Sequence, residues 1–284
     1  MKINVFLASH DTSYHILQCV KYLYSKYMPY AIVTILGYSI PNNIEFNDSF
    51  KFVSIGISNE RKSMKEWSKN IANYMKTITD DILLFSVDDI LIIDHADDSM
   101  LFECFNYMKK YNTISNIQLG SSSTHNIKLI HKKKDYNIYK CTSYQSSLQL
   151  HMWRRTELIR IFDNNFDTYD VEIKGSKMNC NAELFLLTKN KGHKSRVVPT
   201  QAHSALSESR NPGRICIVGI KDEDVRYLVE KNILNKDVLN YSNIKNINIP
   251  YIHGIDFSMS KINGKIPKNY YNGIFNLYHT IYKN

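Results

Sequence analysis

The sequence predicts an α/β protein of three layers, α/β/α, around a mostly parallel sheet. Three observations predict it. Short apolar, β-rich runs alternate with amphipathic stretches at helical spacing. The run Ile82-Leu83-Leu84-Phe85-Ser86-Val87 is apolar at every position but one, the pattern of a strand buried on both faces. No internal repeat interrupts the alternation.

The elements follow in order. Residues 3–8 form a compact apolar strand, and Ser9-His10-Asp11-Thr12-Ser13 is a polar turn after it. Ile16, Val20, Leu23 and Tyr27 recur at helical spacing and mark a helix ending near Met28-Pro29. Residues 31–36 predict a second strand, broken by Gly37, and 51–55 a third. Ser63 and Glu66 fit a capping box at the head of a helix with the stripe Met64, Trp67, Ile71, Met75 and Ile78. Asp80-Asp81 closes that helix and precedes the central strand, so these two aspartates are turn residues at the opposite end of the sheet from Asp88 and Asp89. Asp97-Asp98-Ser99 opens a helix carrying Leu101, Phe102, Phe105 and Met108. Residues 114–119 predict a strand, and 128–131 with 138–141 a hairpin.

Residues 142–175 break the alternation. Ser146 to Trp153 lead into a short helix with Leu158, Ile159 and Phe162, and Asp167, Asp170 and Glu172 then fall within six residues. A helix is predicted around 180–189, a strand at 196–198, and a polar loop over 199–214 with His203 and Arg210. Residues 214–219 and 222–231 make a last β/α pair, and the chain beyond Asn232 reads as irregular. The division expected is a catalytic domain over 1–220 and a C-terminal extension over 221–284. Within the first, a donor half covers about 1–120 and an acceptor half about 121–220.

The chain of 284 residues can bury a sizeable core. Its net charge of +9 favours anionic partners, although the lysines are scattered and only His131-Lys132-Lys133-Lys134 is a compact run, read as a solvated hairpin face. Cys19, Cys104, Cys141, Cys180 and Cys216 are odd in number and far apart, against a zinc site or a disulfide framework. No run approaches the roughly 20 apolar residues that span a bilayer, and the first apolar run is too short for a signal peptide, so a soluble cytoplasmic protein is expected. There is no GxSxG, no Walker A and no GxGxxG, which weakens the hydrolase, ATPase and dinucleotide readings.

Asp88 and Asp89 carry the chemistry that remains. In an open α/β sheet, ligands bind at the carboxyl ends of the strands. Mg²⁺ or Mn²⁺ is commonly held by one or two carboxylates together with substrate phosphates. The plain alternative is a pair of acidic turn residues. Ser9 and His10 would form another wall of the same cleft, with backbone amides able to meet a base or phosphate. Glu172 and Asp170 are candidates for a general base, against an exposed acidic loop. Trp153 is read as a core residue or a cleft wall, Arg154 as a surface residue or phosphate contact, and His203 as a third metal ligand or a plain loop histidine.

Taken in order, these segments resemble glycosyltransferases of the GT-A fold. The likeness lies in strand 1 with its polar turn, the helix bearing Glu66-Trp67-Ser68, the strand ending in Val87-Asp88-Asp89, Ser147-Leu148-Gln149 with Trp153-Arg154, and Tyr169-Asp170-Val171-Glu172. It is nearest to bacterial and viral nucleotide-sugar transferases with an Asp-Asp form of the DXD motif, and it covers about residues 1–200. The resemblance implies a nucleotide-diphosphate sugar as donor, a UDP-sugar first among these, and an inverting, metal-assisted transfer. It places Ser9, His10, Trp67, Asp88 and Gln149 at the donor. Asp88, Asp89 and His203 fall at a Mn²⁺ or Mg²⁺ ion. Glu172, or else Asp170, becomes the base, and Trp153 and Arg154 the acceptor wall.

The acceptor would be a saccharide hydroxyl or a hydroxylated base in DNA, as in some phage DNA-modifying transferases, where a basic surface would steer the substrate. Two other readings compete. A sugar nucleotidyltransferase would call for a glycine-rich basic loop after strand 1, which Ser9 to Ser13 does not supply. A non-catalytic nucleic-acid-binding protein suits the charge but gives no reason for a buried strand ending in two carboxylates.

Overall fold

The computed structural model describes residues 2–42, 44–57, 60–120, 127–178, 181–188, 196–202 and 220–234. The chain divides into two compact units, residues 1–202 and 203–284. In the first unit the strands are β1 (Ile3–Ala8), β2 (Ala31–Gly37), β3 (Phe50–Ser54), β4 (Ile82–Val87), β5 (Ile90–Ile92), β6 (Asn116–Gln118), β7 (Ile127–Lys132), β8 (Tyr136–Cys141), β9 (His151–Arg154), β10 (Ala182–Leu187) and β11 (Thr200–Ala202). Nine of them form one sheet in the order β3-β2-β1-β4-β9-β6-β10-β8-β7, and β11 pairs with β5 in a separate ribbon. β8 and β9 run against the other seven strands of the large sheet, so the fold is α/β with a mostly parallel sheet.

The helices are α1 (Leu17–Tyr27), α2 (Glu60–Met75), α3 (Asp98–Lys110) and α4 (Arg155–Phe162). A 3-10 turn over Asp11–Ile16 leads into α1. Helix α3 opens as expected, with the Asp97 side chain accepting from the Met100 amide. Helix α2 begins at Glu60, so Ser63 lies inside it and does not cap it. Its apolar stripe does face the core. Trp67, Ile71 and Met75 pack with Phe6, Leu83, Phe85, Trp153, Leu158, Ile161 and Phe162 in one buried cluster between the sheet, α2 and α4. Phe162 is its hinge, with its ring 5.5 Å from Trp67 and 5.2 Å from Phe85. Each such aromatic pair adds about 1 kcal/mol beyond area burial. Helix α1 packs by β2 and β5, and α3 by β6 and β9.

Two strands differ from expectation. The stretch expected as a helix near 180–189 contains β10, whose Ala182, Leu184 and Phe185 are buried. Its apolar run is short enough to suit either period, and pairing with β6 and β8 decides the matter. Strand β9 is only four residues long, too short to show alternation. It inserts antiparallel between β4 and β6, with Leu83 opposite Trp153 and Ile117 opposite Met152.

In the second unit, residues 220–234 hold the helix Asp222–Glu230, which buries Val225 and Leu228 and carries Asp222, Glu223 and Asp224 in its first turn. Acidic residues there meet the positive end of the helix dipole. The expected strand at 214–219, Arg210 and the chain beyond 234 lie outside the described residues. Among the described residues no helix is long and apolar enough to cross a membrane.

Candidate active site

Strands β1 and β4 are parallel neighbours, with Ala8 opposite Val87. Their carboxyl ends therefore deliver Ser9 and Asp88 side by side. The Asp88 amide donates to the Ala8 carbonyl at 3.0 Å, and the Ser9 hydroxyl donates to Asp88 Oδ2. Both residues are buried, Ser9 at 3% and Asp88 at 6% exposure. The Ser9 amide also donates to Leu36 O at 2.9 Å, so Ser9 braces the turn and orients Asp88. Asp89 follows at the tip of the turn, before the chain folds back as β5. His10 stands beside Tyr38 with ring centroids 5.7 Å apart. Asp11 accepts from the Ser39 amide at 3.2 Å and hydroxyl at 2.9 Å, which ties the turn after β1 to the end of β2.

The second half of the chain reaches the same sheet edge through β9. Because β9 is antiparallel, its start lies beside the ends of β4 and β6, with His151 opposite both Phe85 and Gln118. The loop just before it is held from two sides. The Ser86 hydroxyl donates to Leu148 O at 3.1 Å, and the Leu148 amide donates to Glu172 Oε1 at 3.0 Å. Glu172 is thus connected to β4 two residues before Asp88. Burial raises its pKa above the ordinary glutamate value, and the Leu148 amide offsets part of that rise. Oε2 of Glu172 has no hydrogen-bond partner among the described residues. Gln149 lies next to this loop, and its Oε1 is buried without a hydrogen-bond partner among the described residues.

The helical run over 168–178 that carries Glu172 is clamped at both ends. Ser68 Oγ accepts from the Phe166 amide at 2.7 Å, and Asp167 caps the run by accepting from the Asp170 amide at 2.8 Å. Farther along, the Ser146 amide donates to Ser176 Oγ at 2.9 Å. Neither the Ser68 nor the Ser176 hydroxyl was given this task from sequence. Hydroxyls that bind backbone far away in the chain leave no local signal.

Asp170 sits differently. It makes an i,i+4 ion pair with Lys174 at 2.9 Å on the outer side of the run, whereas Glu172 accepts from the Leu148 amide. Three other expected site residues are placed elsewhere. Trp67 is 6% exposed and packs on Phe162, which takes it out of any donor cleft. Trp153 is 1% exposed within the same cluster and forms no acceptor wall. Arg154 points to the opposite end of the sheet. Its guanidinium donates to Met108 O at 2.7 Å and to Tyr111 O and Ile114 O at 3.2 Å each, closing the C-terminal end of α3. Arg155 likewise donates to Asp80 O at 3.0 Å, which confirms Asp80-Asp81 as a turn at that far edge.

Among the described residues no group of three or more His, Cys, Asp or Glu side chains gathers as a metal cluster. His203, the expected third ligand, lies outside them. The donors present are two adjacent carboxylates. This hard-oxygen set fits a divalent cation that takes one or two protein ligands and completes its shell from phosphate and water.

No protein-family model matches the chain, and no curated protein matches its sequence. Among solved structures it is similar to HddC from Yersinia pseudotuberculosis, with a TM-score of 0.43, 9% identity, and coverage of 81% of this chain and 99% of that one. It is similar to a UTP-bound UGPase from Acinetobacter baumannii, with a TM-score of 0.41, 7% identity, and coverage of 86% and 98%. It is also similar to the mannosyltransferase PcManGT from Pyrobaculum calidifontis, solved with GDP-Man and Mn²⁺. There the TM-score is 0.37, the identity 10%, and the coverage 64% of this chain and 53% of that one.

Proposed function

We propose that the chain is a glycosyltransferase that moves a sugar from a nucleotide-diphosphate donor to an acceptor hydroxyl with inversion. One observation carries the reading. Two carboxylate positions from distant parts of the sequence, Asp88-Asp89 and Glu172, meet at the carboxyl edge of one sheet and are linked through Ser86 and Leu148. That is the place where open α/β sheets receive ligands.

In this reading Asp88 and Asp89 hold Mn²⁺ or Mg²⁺ with the donor diphosphate, and His10 and Gln149 line the donor. The ion supplies positive charge for the leaving diphosphate. Glu172 takes the proton of the acceptor hydroxyl as its oxygen bonds to the anomeric carbon. The bond from that carbon to the diphosphate oxygen breaks, and the nucleoside diphosphate leaves with the electron pair. A raised pKa makes Glu172 a stronger base than an exposed glutamate. Asp88, Asp89 and His10 fall within 1–120, and Glu172 with the donor residue Gln149 within 121–220. The acceptor is a saccharide in the first instance and hydroxylated DNA in the second.

The test is a screen of UDP- and GDP-sugars with Mn²⁺ by thermal shift, followed by turnover of the stabilising donor. Stabilisation by a sugar nucleotide, lost in Asp89→Ala with an unchanged melting temperature for the ligand-free protein, supports the reading. Turnover of a nucleoside triphosphate with a sugar 1-phosphate would assign the chain to the nucleotidyltransferases. A flat response to every nucleotide refutes both.

A further inference from the structure

The β7–β8 hairpin has no part in the site described above. Among the described residues β7 is the last strand of the sheet, and positions 128–135 are exposed. The hairpin carries Lys128, Lys132, Lys133, Lys134, Lys140 and His131 against one acidic side chain, Asp135. Lys128 stands directly opposite Lys140 across the ladder. On its other side Lys140 faces Glu183 of β10, which offsets the repulsion between the two lysines.

Two apolar side chains sit among these lysines. Leu129 is 49% exposed and Ile130 39%. Leu129 lies opposite Tyr139 on the face shared with Ile127, and the ladder is irregular between Leu129 and His131, where Ile130 falls. The tip is fixed in place. The Lys133 amide donates to Tyr136 O at 2.9 Å, and Thr188 donates to Lys134 O at 2.9 Å and Asp135 O at 3.0 Å. Lysines and aliphatic groups are thus presented together from a platform anchored to the end of β10.

We propose that this hairpin docks on the surface of an anionic lipid bilayer. The ammonium groups meet the headgroup phosphates, and Leu129 and Ile130 enter the boundary between headgroups and acyl chains. The side chains favour a bilayer over a nucleic acid. Residues 127–141 contain no arginine. The exposed apolar groups beside the lysines are aliphatic. Surfaces that bind nucleic acid set stacking aromatics among their cationic residues. Lysines whose one task is to keep a free sheet edge from pairing would need no exposed leucine and isoleucine beside them. The inference is independent of the transferase reading.

The full chain is sedimented with phosphatidylcholine vesicles made with and without phosphatidylglycerol. Binding is expected to the anionic vesicles alone and to weaken as salt rises. Reversal of three charges in Lys132→Glu/Lys133→Glu/Lys134→Glu should weaken it by about tenfold or more. Leu129→Ser/Ile130→Ser should remove the part that survives high salt. Both variants alter exposed positions, and circular dichroism melts confirm that they fold as the parent does. No sedimentation, or equal binding by the charge-reversed variant, overturns the proposal. So does tighter binding to duplex DNA that is indifferent to Leu129→Ser/Ile130→Ser.

Discussion

Arg154 separates a structural from a functional reading most sharply, because the sequence suggested an acceptor contact and the structure gives it another task. Arg154→Met keeps the aliphatic stem and removes the guanidinium. Three bonds to the carbonyls of Met108, Tyr111 and Ile114 are then lost. A hydrogen bond from a charged donor contributes about 1.5–3 kcal/mol net. The site is only half-buried and water can replace part of the loss, so two of the three bonds at the lower figure give about 3 kcal/mol. In a unit of this size each kcal/mol moves the melting temperature by about 2–4 °C, so a fall of roughly 6–12 °C is expected. Urea unfolding followed by circular dichroism measures the change, and acceptor KM is measured on the same sample. Stability within about 0.5 kcal/mol of the parent is the refuting result, above all with a raised acceptor KM, which would return Arg154 to the acceptor wall.

Three further outcomes follow from the same geometry. Burial raises the Glu172 pKa, so the folded state keeps this proton to higher pH than the unfolded chain, and stability falls as pH rises through the raised value. Glu172→Gln removes that buried charge and keeps an acceptor for the Leu148 amide. It should be at least as stable at neutral pH, with turnover down by about 10²–10⁴ and donor affinity kept, and unchanged turnover would remove Glu172 as the base. His151 is 1% exposed, and burial lowers its pKa to about 3. The folded state refuses a proton that the unfolded chain accepts below its ordinary value near 6.5, so stability is lost as pH falls from there toward 3. Near pH 4.5 the loss is about 3 kcal/mol; His151→Phe should flatten this acid limb in pH-dependent unfolding curves, and an equally steep limb would discount it. At Gly120 an added Cβ would strike Thr200 Oγ1. Gly120→Ala should cost about 1–3 kcal/mol, and Thr200→Ala should recover part of it in a double-mutant cycle read by chemical denaturation.

What was legible in the sequence is what obeys a local period. The strands at 3–8, 31–37 and 82–87 and the helix at 98–110 follow from unbroken apolar runs, stripes and the Asp97 cap. Asp88, Asp89 and Glu172 were singled out because carboxylates beside apolar runs are conspicuous. Tryptophan and arginine misled, since Trp153 buried at the sheet centre and Trp153 lining a cleft would have the same neighbours in sequence. Arg154 and Ser68 take their meaning from carbonyls and amides 40 to 98 residues away. No window of sequence displays such partners. Strand β10 was misread because six apolar-rich residues satisfy two periods equally well, and only the strands on either side choose between them.

The position of β9 bears on how the chain reaches its fold. As the protein emerges from the ribosome, β1 to β4 can assemble from the first 87 residues. The edge of β4 then stays unpaired until residues 151–154 arrive, and β6, made earlier, has no place in the sheet before them. A strand apolar at every position but one is therefore exposed through the synthesis of more than sixty residues, a template for pairing with another chain. A fragment stopped short of Arg154 should aggregate more readily than one extended through Phe162. The arrival of β9 covers the edge of β4, and Leu158, Ile161 and Phe162, made just after it, then complete the core on that side of the sheet.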